Sequence, residues 1–344
     1  MVAIRTRSTA ITEPAQPRPI DTPARLRDWS DRCRSAGLVV GLVPTMGALH
    51  AGHRSLIRRA RLECDRVAVS IFVNPRQFGP GEDLDRYPRT LQADMAVLAA
   101  EGADVAFIPS VEAMYPPGHA ISVSVGPPLG TTLEAAARPG HVDGVALVVT
   151  KLLSAARPDR AYFGEKDAQQ CAVVRHLVRE LDLGAEIVVC PTVRDADGLA
   201  LSSRNAYLSP EERGQAVAIH ESLLQVATEF ARGVREPALL VAAARHQLSG
   251  ARGVRAEYVA LVDADTFVEA GAPAARGEQL SSGQTRWLCL VAARVGGTRL
   301  IDAVSLQGAA EEADSCEGPD VCDTVVMSSA GVSGGGGRQC SASF

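Results

Sequence analysis

The apolar run at residues 39–43 stops at Pro44. After Thr45-Met46-Gly47-Ala48-Leu49-His50-Ala51-Gly52-His53 the apolar residues return at helical spacing, as Leu56, Ile57 and Ala60. An apolar stretch of strand length, a Pro/Gly break and then a 3.6-residue period describe a strand–loop–helix junction. This junction constrains the chain most, because a buried strand feeding a helix is the repeating unit of a parallel α/β sheet. It points backbone N–H groups and a helix start at whatever anion sits there. His50 and His53 are three residues apart and share a face of the first helical turn. There an imidazolium over a phosphate would stabilise the charge that builds up as a phosphoryl group is attacked. A turn glycine with two solvent-facing histidines is the plainer alternative.

The same grammar repeats along the chain. Residues 21–36 have a helical pattern, with Leu26, Trp29 and Cys33 between charged positions. Residues 67–73 are apolar but for Ser70, as expected of a parallel strand covered on both faces, and they end at Asn74-Pro75-Arg76-Gln77. Ligands of open α/β sheets bind outside the carboxyl ends of the strands, which places Asn74 and Gln77 where a substrate would be held. A loop rich in Gly, Asp and Pro leads to a helix ending near residue 100 and a strand at 104–108, completing a second βα repeat. Arg138-Pro139-Gly140-His141 introduces an apolar helix, with His141 read as a capping or loop histidine. A short strand at 160–163 ends in Gly164-Glu165-Lys166-Asp167-Ala168-Gln169-Gln170, with a helix over 168–180 and a strand at 185–190.

Lysine occurs only at 151 and 166, against 33 arginines. A site that keeps an ammonium in such a chain suggests a need for a compact charge with rotatable donors. Lys166 at a strand end would neutralise an α-phosphate, and Gln170, one helical turn along, points to the same side. Further on, Ser202-Ser203-Arg204 supplies hydroxyls and a planar fork suited to β- and γ-phosphate oxygens. Ser209 then starts a helix as N-cap, with Pro210 first and Glu212 completing a capping box. Alanine-rich helices to about residue 248 precede strands at 255–262, 286–295 and 298–303, with a Gly/Ser-rich loop at 275–284.

The resulting expectation is an α/β protein, with a Rossmann-like parallel-sheet nucleotide-binding domain over 21–192 followed by a smaller α+β domain over 193–307. Residues 1–20 read as a mobile leader and 308–344 as a disordered acidic, Gly/Ser-rich tail. That tail explains the net charge of −5, since residues 309–344 hold six acids and one base and the remainder has 34 of each sign. A neutral body favours small-molecule partners over nucleic acid or a membrane surface, and no apolar run reaches spanning length. Eight cysteines without a CxxC pair or a clustered histidine argue against a zinc site and a disulfide scaffold. A reducing cytoplasm is the simplest setting.

Taken together, these segments resemble one family. Pro44 to His50 with Gly52-His53, Gly81-Glu82-Asp83-Leu84-Asp85 through Tyr87-Pro88-Arg89-Thr90, Arg138-Pro139-Gly140-His141, Phe163 to Gln170 and Asp197 to Asn205 are similar to the motifs of pantothenate synthetases. These belong to the HxGH nucleotidyltransferase superfamily. The departures are Ala93, where a second acid often stands, and Val142 and Ala168 in place of aromatics. The resemblance implies that ATP activates pantoate to a pantoyl adenylate with release of pyrophosphate, and that β-alanine then displaces AMP. It implies His53, His50 and Lys166 as catalytic groups. Contacts to ATP fall on Met46, Gly47, Ala48, Leu49, His50, Ala51, Gly52, His53, Gly164, Glu165, Lys166, Asp167, Val193, Leu201, Ser202, Ser203 and Arg204. Gln77 and Gln170 would bind pantoate, Gln77 would also meet β-alanine, and Asp94 would stand near Mg²⁺, directly or through water. A homodimer follows from the same resemblance. Another small-substrate nucleotidyltransferase, or a nucleotide-binding regulator without turnover, stays open at this point.

Overall fold

The computed structural model describes residues 16–271 and 286–306. The Gly/Ser-rich loop at 275–284, the tail at 308–344 and residues 1–15 of the leader lie outside the described residues. The main sheet is wholly parallel. Its strands are β1 (Arg18–Ile20), β2 (Val40–Thr45), β3 (Arg66–Ile71), β4 (Val105–Phe107), β5 (Arg160–Gly164) and β6 (Glu186–Cys190), in the order β1-β4-β3-β2-β5-β6. Helices α1 (Pro23–Ser35), α2 (Ala51–Glu63), α3 (Leu91–Ala100), α4 (Val111–Met114), α5 (Glu134–Ala137), α6 (His141–Ala156) and α7 (Ala168–Glu180) make the crossovers between them. The central strands bury both faces: Leu42 and Ala68 face one core, Val43, Val67 and Val69 the other. This is the reason they read as unbroken apolar runs.

One expectation is corrected at the N-terminus. The leader reading stops short, because Arg18–Ile20 pairs in parallel register with β4 and Ile20 is buried in the core. A three-residue strand with one apolar side chain carries too little pattern to be seen in sequence; its pairing with a strand far along the chain, Arg18 opposite Val105, creates it.

Chain order reverses at β2. From β2 the chain winds through β3 to β4 on one side, and it returns to pair β5 on the other. Pairing of β2 with β5 covers only Gly41 and Leu42, and Pro44, with no N–H to give, follows where that pairing has ended. A crevice opens at such a switch point, between the loops that leave β2 and β5.

After β6 come α8 (Pro210–Gln215), α9 (Val217–Ala231) and α10 (Pro237–Gly250), then an antiparallel sheet of β7 (Val254–Asp263), β8 (Trp287–Val295) and β9 (Thr298–Leu306). Ser209 Oγ accepts from the Glu212 N–H and Glu212 accepts from the Ser209 N–H, the expected capping box. Alternate residues of β8 serve two cores. Cys289, Val291 and Ala293 pack with Leu223, Val226 and Phe230 of α9 and Leu240 of α10, while Leu288 and Leu290 join the core of the parallel sheet. The second sheet is therefore covered on both faces, and its rim forms a wall of the crevice.

Candidate active site

The crevice holds a cavity of about 590 Å³, walled by the loops after β2, β3 and β5, the Ser202–Arg204 segment and the edge of β9. Local rules build the first loop. Thr45 Oγ1 donates to the Ser70 carbonyl and accepts from the Gly47 N–H, turning the chain out of the sheet. Gly47 and Ala48 then take positive φ, 83° and 50°. A Cβ at Gly47 would come within 3.0 Å of Asp94 Oδ2, so both conformation and space require glycine there.

Asp94 is the reason this loop has one shape. Its carboxylate is 2% exposed and accepts from the N–H of Ala48 at 3.1 Å and of Leu49 at 2.8 Å, with Thr90 Oγ1 at 3.2 Å. Both oxygens face the loop backbone, and Asp94 is not among the residues that line the cavity. Loop N–H groups expected to face an anion are engaged within the protein at Gly47, Ala48, Leu49, His50 and Gly52.

The two histidines form a reciprocal cap at the start of α2. His50 Nδ1 accepts from the Gly52 N–H at 3.2 Å and His53 Nδ1 from the His50 N–H at 3.3 Å, with ring centroids 4.1 Å apart. An Nδ1 that accepts leaves the proton on Nε2, so each ring is a neutral donor. Electrostatics agree. Burial, then the Lys166 ammonium, pulls His50 down to about 4, and burial, then His50, pulls His53 down to about 3. The expected imidazolium is thus replaced by a pair of neutral imidazoles.

Opposite them, the turn Glu165–Asp167 presents Lys166, whose ammonium meets Asp167 at 3.2 Å. Burial raises the Asp167 pKa, but Lys166, with Arg204 and His141, lowers it further, so that it lies below its ordinary value. Gly164, Lys166, Asp167 and Gln170 line the cavity, and Glu165 does not. Gln77 is 8% exposed, with its Oε1 accepting from Asn74 and its Nε2 donating to Met46 Sδ at 3.0 Å. An amide nitrogen has two protons, which leaves one N–H for the cavity.

Val193, Leu201, Ser202, Ser203 and Arg204 form the remaining wall, and Met46, His50, Gly52 and His53 join them, whereas Gly47, Ala48, Leu49 and Ala51 stand behind it. Ser203 donates to the Ala48 carbonyl at 3.4 Å, tying this wall to the first loop. Ser202 Oγ accepts from the Arg204 N–H, so its own proton stays available. Arg204, expected to face phosphate, has its Nε and Nη2 engaged by Asp83 at 2.9 Å each, leaving the rest of the fork for a ligand.

Sequence reasoning missed a charged flank. Glu134, 7% exposed, takes two bonds from Arg299 of β9 and one from Tyr258 of β7, and Arg299 also reaches Glu257. Burial raises the Glu134 pKa, and Arg299, with Tyr258 and Arg138, more than reverses this. Arg138 bridges Glu82 at 2.6 Å and contacts His141. Motif spacing flagged Glu82, Arg138 and His141, but nothing local marks Arg299 or Tyr258. Among the described residues no group of three or more His, Cys, Asp or Glu could hold a metal ion, and no helix is long and apolar enough to cross a membrane. The five cysteines among them are free and buried.

The family model for pantoate-beta-alanine ligase matches residues 18–305. A pantothenate synthetase of Rubrobacter xylanophilus is 50% identical over 292 residues, 83% of this chain and 97% of that protein. The crystal structure of a pantothenate synthetase from Thermus thermophilus superposes with TM-score 0.76 at 44% identity, covering 84% of this chain and 99% of that one. A pantoate-beta-alanine ligase from Francisella tularensis, crystallised with beta-gamma ATP and beta-alanine, gives TM-score 0.67 at 33% identity, covering 84% and 97%.

Proposed function

This chain belongs to the pantoate-beta-alanine ligase family, and from that premise we propose that it condenses pantoate with β-alanine at the expense of ATP. The pantoate carboxylate attacks the α-phosphorus and pyrophosphate leaves; the β-alanine amine then attacks the acyl carbon, and AMP leaves. The observation that carries this reading is the cavity's donor set: two neutral imidazole Nε2–H groups, one ammonium and two glutamine amides. Such a set suits positioning and charge stabilisation.

His50 and His53 would donate to phosphate oxygens that gain charge as pyrophosphate departs, and Lys166 would neutralise the α-phosphate. The Ser202 and Ser203 hydroxyls, and the part of Arg204 not engaged by Asp83, would hold the β- and γ-phosphates. Gln77 and Gln170 would fix pantoate, and Gln77 would meet β-alanine in the second step. In this division residues 21–192 carry pantoate and most of the nucleotide, and the described residues from 193 onward hold the β- and γ-phosphates and close the opposite wall.

The donor set around the cavity does not form a cage for a divalent ion, since Asp94 is turned to the loop. Mg²⁺ therefore enters the proposal as the counter-ion of ATP, held by phosphates and water as this ion commonly is. We further propose a cytoplasmic homodimer, which light scattering would check.

The test is product release from ATP, Mg²⁺, pantoate and β-alanine with each acid omitted in turn. Pyrophosphate should require pantoate alone, in a single-turnover burst, and AMP should require both acids. AMP formation that ignores either acid would overturn the assignment, and transfer of a nucleotidyl group to a stable product would favour another nucleotidyltransferase.

A further inference from the structure

Helix interiors disfavour glycine, yet α6 places one, Gly144, in its second turn and buries it. Its φ is not in the left-handed region, so no turn requires glycine there. Space does. A Cβ on Gly144 would lie 2.0 Å from the Arg76 carbonyl oxygen and 2.8 Å from Gln77 Cα, both backbone atoms of the turn Pro75–Gln77. Backbone cannot swing aside as a long side chain can, so that turn must move if the Cβ is added.

We propose that Gly144 is a positioning residue for the acid-binding glutamine: its bare Cα lets the Pro75–Gln77 turn seat on α6, and that seating sets where Gln77 presents its amide. The inference rests on the reading of Gln77 as a pantoate ligand. Other contacts converge on the same turn. Asn74, 1% exposed, donates to the Gly144 carbonyl at 3.1 Å and to Gln77 Oε1 at 3.1 Å, coupling helix and amide through one side chain. Tyr115 holds Asn74 in turn, its hydroxyl donating to Oδ1 at 2.8 Å. His141, one turn before Gly144, contacts the Gln77 carbonyl through Nδ1 at 2.8 Å. The first two turns of α6 are thus a seat for the loop after β3, with Gly144 in close backbone contact with it. The nucleotide wall, built on β2, β5 and Ser202–Arg204, meets this turn through Met46, whose Sδ accepts from Gln77 Nε2 at 3.0 Å.

Gly144→Ala, Gln77→Ala and the double variant, assayed in the full chain, separate the possibilities. Gly144→Ala should raise the pantoate KM by roughly ten- to hundredfold, the loss expected when a bond to a charged group is misplaced, and leave the ATP KM within about twofold. In the Gln77→Ala background the same change should add almost nothing, because both act through one amide. An unchanged pantoate KM in folded Gly144→Ala, or two effects that multiply independently, would overturn the positioning role while leaving Gln77 as a ligand. No pantoate effect in Gln77→Ala would overturn both. Should Gly144→Ala fail to fold, Tyr115→Phe decides the matter. It removes one hydroxyl without adding bulk, and a severalfold rise in pantoate KM at unchanged ATP KM is expected; no rise would overturn the proposal.

Discussion

Replacing Asp94 by asparagine separates two roles that a carboxylate near a nucleotide site can have. The structure gives each Asp94 oxygen its own backbone partner, Leu49 N–H for Oδ1 and Ala48 N–H for Oδ2. Asparagine keeps one oxygen; its NH₂ would then face an N–H, so one of the two bonds is lost and two donors oppose each other. A bond to a charged acceptor contributes roughly 1.5–3 kcal/mol, and the site, buried at 2% exposure, gives water no access to compensate. The loss should therefore be about 2–3 kcal/mol, a fall in Tm of roughly 3–5 °C for a chain of this size. Because the loop also aims His50 and His53, turnover should drop, but the Mg²⁺ concentration giving half-maximal rate at saturating ATP should not move. Thermal unfolding and a Mg²⁺ titration of pyrophosphate release, on the same preparation, measure both. A right-shifted Mg²⁺ titration with unchanged Tm would refute the reasoning and return Asp94 to the metal.

Other consequences follow from the same contacts. His53→Ala should abolish most adenylate formation while leaving ATP affinity near normal, since Nε2–H acts on charge that appears in the transition state; near wild-type pyrophosphate release by a folded variant would sink this role. His50, His53 and His141 are held at about 4, about 3 and about 4 in the folded chain, by burial first. The unfolded chain therefore binds more protons between about pH 6.5 and 4, so stability should be full above pH 6.5 and fall as pH drops through this window. Urea unfolding at pH 7 and pH 5 reads the difference, and equal midpoints would contradict it. Arg299→Ala leaves Glu134 buried without its partner and should cost about 3–5 kcal/mol; denaturant unfolding would show it, and a loss under about 1 kcal/mol would mean that Glu134 finds water or another cation.

Sequence alone determined the repeating plan. The apolar runs, their breaks at Pro44, Pro75 and Gly164, and the capping box at Ser209 are local signals, because period and turn chemistry depend on near neighbours. Motifs at successive strand ends also placed His50, His53, Gln77, Lys166 and Gln170 at one site, since parallel strands bring their carboxyl ends to one side of a sheet. Only the tertiary structure decided what those groups are. Asp94 is turned to a loop 45 residues earlier in the chain, β1 exists through a pairing partner far along the chain, and Arg299 reaches the cavity from a second sheet. The histidines are neutral because burial and the neighbouring ammonium act on them across space. Proton affinity, hydrogen-bond partners and close backbone approach depend on distance in space, and spacing along the chain does not encode that distance.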